Sequence, residues 1–516
     1  MKRIYTFLLV VLVNQYFLHA QEKHDYIWVM GTKIVNSAHR NGGDLIDFNS
    51  GMADTTSLNI QFYLDQTMGT ISDRYGNLQF YTNGCDVMTK NHQLMSNGDS
   101  LNVPFSGPWQ EDNCARDLSY GPHSGLIILP VPGTNDRYGI FHLRYDADSA
   151  PYPLYFFSPQ SLLYTLVDMS AENGLGRVEQ KNVLVEKDTF CDLLAAVRHG
   201  NGRDWWIAAP KPGSGDKASD KILLFRLTPY GVEGPFVKKT GLRWKGNPNT
   251  FAVGQAVFSP DGNRYARFDT ENGVQLFCFD RCSGEFTCAL QLTFPGDTVS
   301  AAGISFSPNG RFLYASTGTK MYQFDCFARD VQASKTLLGM YDGFKAPLWT
   351  TFYQQRLAPD GKIYMSCTNG AYYLHVVHNP DAKGADCNFE QHGFELPTQN
   401  GFCLPNYPNY RLYDWAGSPC DSLGVDAPRD TVYYFDAAPR FFPNPANERV
   451  TVVAPVCSSG HLRVYNAAGI LMYEMPDVVS GRAYTIEVAD WPAAVYFVTA
   501  TTRENGSEAR KLVVAH

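Results

Sequence analysis

The chain has 516 residues, a net charge of −8 and only 18% charged residues. With no basic stripe, that balance argues against nucleic acid as a partner, and the length leaves room for about two to four domains. Aromatics reach 14%, and 44 glycines and 30 prolines are spread along the chain. Short runs rich in Val, Ile, Tyr, Phe and Thr alternate with turn residues and no long stretch has helical period, so the chain reads as all-β.

The first residues have a three-part pattern. Lys2 and Arg3 are basic, Ile4 to Val13 is a nearly unbroken apolar run, and the chain turns polar after Ala20, at Gln21-Glu22-Lys23-His24. This is the pattern of a secretory signal peptide over residues 1–20, with the Sec machinery as its reader. The run is too short to span a bilayer, which takes about 20 apolar residues. No later segment is apolar enough to span, so the mature chain is expected in solution. All twelve cysteines lie beyond the leader, where export permits disulfides. Cys85 with Cys114, Cys387 with Cys403, and the trio Cys278, Cys282 and Cys288 fall close together, but spacing does not decide pairing. No paired Cys-x-x-Cys and no His at ligand spacing suggests a metal site, and no cofactor is expected.

Residues 21–415 carry a repeat. Ser259-Pro260-Asp261-Gly262, Ser307-Pro308-Asn309-Gly310 and Ala358-Pro359-Asp360-Gly361 follow a β run and precede another, and their glycines are 48 and 51 residues apart. Pro pre-sets the second turn position, Asp or Asn bonds nearby backbone, and Gly takes the positive φ. The period is that of one four-stranded blade of a β-propeller. Weaker copies occur at Ile71–Tyr81, Leu126–Leu143 and Leu193–Ala208. Three N-terminal runs (Tyr26–Met30, Asp44–Phe48, Leu58–Leu64) lack an innermost partner, and Asn406–Trp415 is a leftover strand. Together they would close a seventh blade and leave no open edge; six blades is the alternative. Trp205, Trp206, Trp244 and Trp349 are expected in the core between blades.

Chemistry is hard to find in this region. There is no His-Glu-x-x-His, no Gly-x-Ser-x-Gly and no P-loop. In Gly121-Pro122-His123-Ser124-Gly125 the neighbouring His and Ser point to opposite faces of a strand, so they make no dyad. No catalytic residue is assigned. Polar residues near the starts of inner strands are the candidates for ligand binding: Arg116, Asp117, His123, Asp192, Gln255, Gln354 and Arg356. Their competing role is hydrogen bonding between blades. The reading is a non-catalytic module that binds extracellular glycan or protein; the alternative is a propeller enzyme, a lyase or hydrolase acting on extracellular polysaccharide.

Phe80–Cys85, Met95–Gly98, Arg198–Trp206 and Phe279–Gly284 resemble exported WD40- or YVTN-like propeller proteins of the Bacteroidetes over roughly residues 25–415. The resemblance implies the propeller and a secretion tail, and carries over no catalytic residue.

Residues 416–438 read as a linker. Residues 439–516 hold about seven short β runs, with Leu462 and Val464, then Tyr484, Ile486 and Val488, then Val495, Phe497 and Thr499 sharing faces. That is the period of two small sheets packed as an immunoglobulin-like sandwich. Phe442-Pro443-Asn444-Pro445-Ala446, Leu462–Tyr465 leading to Gly469, Val495-Tyr496-Phe497-Val498 and Lys511-Leu512-Val513-Val514 resemble the type A C-terminal sorting domain of the type IX secretion system. The family usually has Gly before the Tyr, where this chain has Val495, and often Tyr at the position of Phe442. The resemblance implies passage through the periplasm and reading of the tail by an outer-membrane translocon. A sorting protease would then remove the tail, leaving the rest secreted or on the outer cell surface.

Overall fold

The computed structural model describes residues 22–33, 40–103, 114, 119–145, 159–213, 218–245, 254–415, 418–421, 440–442, 444–453, 458–479, 483–502 and 507–516. The leader, Arg116, Asp117, Pro443 and most of the 416–438 stretch fall outside them. Among the described residues no helix is long and apolar enough to cross a membrane.

The elements are strands. Sheet one holds β1 (Ile27–Gly31), β2 (Gly43–Asp47) and β3 (Asp54–Leu58), and sheet two β4 (Gly69–Ser72), β5 (Leu78–Thr82) and β6 (Val87–Thr89). Sheet three holds β7 (Leu126–Pro130), β8 (Arg137–Arg144), β9 (Ser161–Asp168) and β10 (Arg177–Lys187). Sheet four holds β11 (Ala195–Arg198), β12 (Trp205–Pro210), β13 (Ser219–Thr228) and β14 (Gly231–Trp244). Sheet five holds β15 (Gln255–Phe258), β16 (Arg264–Asp269), β17 (Gly273–Phe279) and β18 (Phe286–Leu292). Sheet six holds β19 (Gly303–Phe306), β20 (Phe312–Ser316), β21 (Lys320–Asp325) and β22 (Thr336–Met340). Sheet seven holds β23 (Phe352–Leu357), β24 (Ile363–Cys367), β25 (Ala371–Val377) and β26 (Phe389–Asn400). All are antiparallel, each strand pairing with its neighbours in sequence, as short connections dictate.

The sheets stand side by side in chain order, and the last touches the first. Ile27 N–H donates to Ser72 Oγ between sheets one and two (3.3 Å). The side chains of His142 and Asn102 join sheets two and three, and Ser124 bridges Leu193 between three and four. Arg281 Nε donates to Arg198 O between four and five (2.9 Å), and Arg264 Nη1 to Gly310 O between five and six (2.7 Å). Ser316 Oγ donates to Tyr353 O between six and seven, and Thr398 N–H to Asp44 Oδ1 between seven and one (2.8 Å). This is a β-propeller.

The repeated turn forms as its chemistry requires. Gly262, Gly310 and Gly361 have φ of 73°, 69° and 81°. Their N–H groups bond Ser259 O, Ser307 O and Ala358 O, and Asp261, Asn309 and Asp360 accept from the backbone two residues on. Each turn joins the first strand of a sheet to the second.

Large side chains fill the space between sheets. Trp205, Trp206 and Trp244 are buried, as expected, but Trp349 is 53% exposed. It pairs across a small loop with Lys345, whose ammonium lies 4.7 Å from the ring, so the indole is carried outward. Two strand expectations also change. The third strand is Asp54–Leu58, where the polar run completes the ladder to β2, while Ile60, Phe62 and Leu64 are buried in irregular backbone. Asn406–Trp415 forms no strand at all, because Pro405 and Pro408 offer no N–H to a ladder.

The C-terminal region packs a sheet of β27 (Arg440–Phe442), β28 (Arg449–Val453) and β31 (Ala483–Glu487) on a sheet of β30 (Leu471–Val479), β29 (Ser458–Asn466), β32 (Ala494–Thr502) and β33 (Ser507–Val514). Alternate residues of both meet in a core of its own, with Val450, Val452, Leu462, Val464, Ile486, Val488, Val498 and Leu512 inside.

Candidate functional site: the ring mouth, its axle and the tail

The first strands of the sheets surround an axis, and the chain itself occupies it. Residues 401–415 begin beside the starts of these strands. Phe402 N–H donates to Asp65 Oδ1 (2.9 Å) and Leu404 N–H to Gln354 Oε1 (3.1 Å). At the centre, Asn406 Nδ2 donates to Leu126 O and Leu194 O (3.2 and 2.8 Å), on two different sheets. Arg356 donates to Asn406 Oδ1 and Tyr407 O (both 3.1 Å), and Tyr407 Oη to Ile27 O. Near the far ends of the strands, Tyr410 Oη donates to Ile128 O (2.7 Å) and Asn409 Nδ2 to Pro260 O (2.7 Å). Arg411 pairs with Asp25, Arg281 donates to Tyr413 O, and Trp415 N–H donates to Gly200 O. A disulfide then joins Cys420 to Cys282. Side chains thus make the bonds that the prolines deny to a ladder.

Between β11, β15 and Asn406–Asn409 lies a cavity of ≈ 30 Å³, room for about one water.

At the end where residue 401 joins the axis lies a mouth built from strand starts. His123 Nδ1 is 2.5 Å from Tyr353 Oη, and its ring stacks on Phe402 at an interplanar angle of 18°. Its backbone N–H donates to Asp192 Oδ2 (3.3 Å). Asp192 is buried, and among the described residues its Oδ1 has no partner. Burial without a balancing cation pushes the Asp192 carboxyl up to about 7, and burial lifts Asp65 to about 6 despite the bond from Phe402 N–H. Desolvation in the same crowded mouth holds the His123 imidazole down to about 4. Near neutral pH the mouth therefore presents an uncharged imidazole, a carboxyl poised between two protonation states, and an aromatic face. Ser124 turns away from His123 and accepts from Gln354 Nε2 (3.0 Å).

The structure brings His123 and Asp192 together. Gln255, Gln354 and Arg356 sit deeper, and their side chains bond inside the ring. Gln255 donates to Gln355 O (2.6 Å) and accepts from the N–H groups of Ile304 and Gln355, tying sheets five, six and seven. Gln354 and Arg356 hold the axle. Asp65, Tyr353, Phe402 and Asn406 were not among the sequence candidates. The visible sign was Pro405-Asn406-Tyr407-Pro408-Asn409-Tyr410, a tandem triplet whose prolines rule out a ladder and whose asparagines can bond both ways.

In the tail, the Asn-Pro-Ala stretch fastens the first residues to the last strand. Asn444 donates to Lys511 O (3.1 Å) and accepts from Val513 N–H (2.8 Å), and Ala446 N–H donates to Val513 O. Gly469 (φ 78°) closes the turn before β30, capped by Asn466 Oδ1. Tyr496 is buried and donates its hydroxyl to Pro492 O. Lys511 is exposed, and the side chain of Phe442 lies outside the described residues, as Pro443 does.

These features define a propeller that carries a separate small sandwich. Residues 440–515 match the secretion system C-terminal sorting domain. The chain is thus cargo of the type IX secretion system, sent to the cell surface or the medium. No curated protein matches the chain. Among solved structures it is similar to the Pseudomonas aeruginosa periplasmic gluconolactonase (13% identity, 74% of this chain and 99% of that one, TM-score 0.37). It is also similar to Kuenenia stuttgartiensis hydrazine synthase (10%, 70% and 96%, 0.36) and to a β-propeller domain from Myceliophteria thermophila (13%, 73% and 93%, 0.28).

Proposed function

We propose that the exported ring is a non-catalytic binding module whose ligand, an extracellular glycan or protein, is met at the His123–Asp192 mouth. One observation carries this reading: residues 401–415 fill the axis of the ring, bonded there to Gln354, Arg356 and the carbonyls of Leu126 and Leu194. An axis filled by the chain itself suits recognition of a surface or a chain end better than enclosure of a reacting bond, which needs water excluded. The mouth offers the His123 imidazole, held neutral by burial, and the Phe402 ring, above the buried Asp192 carboxyl that accepts from the His123 backbone. Neutral hydrogen-bonding groups beside an aromatic face fit hydroxyl- or amide-rich ligands.

The test uses the secreted protein on glycan and protein arrays, with a polysaccharide digestion screen in parallel. Binding without product is expected, weakened at least tenfold by His123→Ala. Product that disappears on Asp192→Asn would make the ring an enzyme instead.

A further inference from the structure

The four-stranded sheet of the tail has two faces, and the outward one breaks the usual alternation. Its inward residues fill the sandwich core, so the outward ones should be polar. Instead the register aligns Leu471, Tyr465, Phe497 and Lys511 in one row across β30, β29, β32 and β33. Val495 and Val513 form a second apolar pair beside it. Leu471 is 44% and Phe497 39% exposed, and the neighbouring Ile470 and Met472 are exposed too. The next row is charge-balanced, with Arg463 Nε 2.8 Å from Glu474 Oε1. Among the described residues of this face, Lys511 has no ion-pair partner.

We propose that this row is the surface by which the tail docks on the outer-membrane secretion machinery, against an apolar strip that carries a carboxylate opposite Lys511. The proposal rests on the sorting reading and adds the face to it. A continuous apolar stripe on the open side of a small sheet marks an interaction surface. The charge pattern selects the occupant. Two copies stacked by a two-fold axis through the middle of this row would set each Lys511 against the other copy's Leu471 (axis across the row) or Lys511 (axis along it), leaving both ammonium groups without a partner. A different protein with an acidic group at that position meets both halves of the row.

The experiment follows the full chain in its host, comparing the medium and cell-surface fractions with the periplasm. Three variants are compared: deletion of residues 440–516, Phe497→Glu and Lys511→Glu. Phe497→Glu should trap the protein in the periplasm as the deletion does, and Lys511→Glu should lower export roughly tenfold. The purified Phe497→Glu protein should keep the circular dichroism and melting curve of the parent. If Phe497→Glu unfolds the tail, Phe497→Ser and Leu471→Ser decide the matter, since neither adds charge. Normal export of the two serine variants or of Phe497→Glu, with the deletion retained, overturns this face and leaves the sorting reading intact. Normal export of the deletion overturns the sorting reading itself. A parent protein that is dimeric by light scattering and turns monomeric in Phe497→Glu would make a second copy the occupant and also overturn the proposal.

Discussion

Asp192 shows how a single group can be read in advance and still surprise. Its place before β11 marked it as a mouth residue; its unpaired Oδ1 could not be foreseen, because a partner's absence is a property of three-dimensional packing. The missing partner has a consequence for pH. With the folded carboxyl near 7, the native protein holds a proton that the unfolded chain has already lost above about pH 4. Stability from this group therefore falls as pH rises from about 4 to about 7 and stays low above that. Asp192→Asn keeps the acceptor for His123 N–H and removes the charge. It should match the parent near pH 4 and exceed it above pH 7, by up to a few kcal/mol at about 1.4 kcal/mol per unit of pKa displacement. Thermal melts of both proteins from pH 4 to 8 check this, and parallel curves would show that the carboxylate is compensated. Trp349 teaches the opposite lesson: an indole on a local hairpin and an indole between sheets look the same in a sequence. What separates Trp349 from Trp205 is its pairing with Lys345.

Turns were the most legible elements, and the axle the least. The Pro-Asp-Gly and Pro-Asn-Gly turns are local chemistry, so Gly262, Gly310 and Gly361 could be placed before any contact was known. Their surroundings could not, and they make the three glycines unequal. A Cβ at Gly310 would meet nothing closer than 3.7 Å, so Gly310→Ala carries only the cost of its positive φ, about 1 kcal/mol. A Cβ at Gly262 would lie 2.6 Å from Leu412 on the axle and 2.8 Å from Val197 and Arg281. Gly262→Ala should therefore cost roughly 2–4 kcal/mol, since overpacking adds to the φ penalty. Urea titration of the two variants measures the difference, and equal midpoints would mean that the axle yields at Leu412. The axle itself reads as a strand because Tyr407, Tyr410 and Leu412 look like an apolar run. Only the spacing of Pro405 and Pro408 says otherwise. That Asn406 would bond carbonyls of two sheets depends on ring closure, which no local pattern contains.

The whole molecule is closed by long-range links. All-β class, repeat period and a separate tail were legible because each rests on alternation or on turn spacing. The Cys282–Cys420 pair was not, since its members lie 138 residues apart. It joins the end of the axle to the loop after β17, beside Gly200. Replacing both cysteines with serine should lower the unfolding free energy by about 2–5 kcal/mol, the range for native disulfides that close long loops. The axle should also become a site of early cleavage. Urea unfolding with limited proteolysis reads both effects; an unchanged midpoint and cleavage pattern would show that the noncovalent bonds alone secure the segment.

The route of the last propeller residues also gives the ring a direction. The chain goes in beside His123 and comes out beside Cys282, so its C-terminal continuation leaves from the side opposite the opening. A pull on the chain beyond Cys420 is thus taken up by the disulfide to Cys282 on the back of the ring before it reaches the hydrogen bonds of the axle.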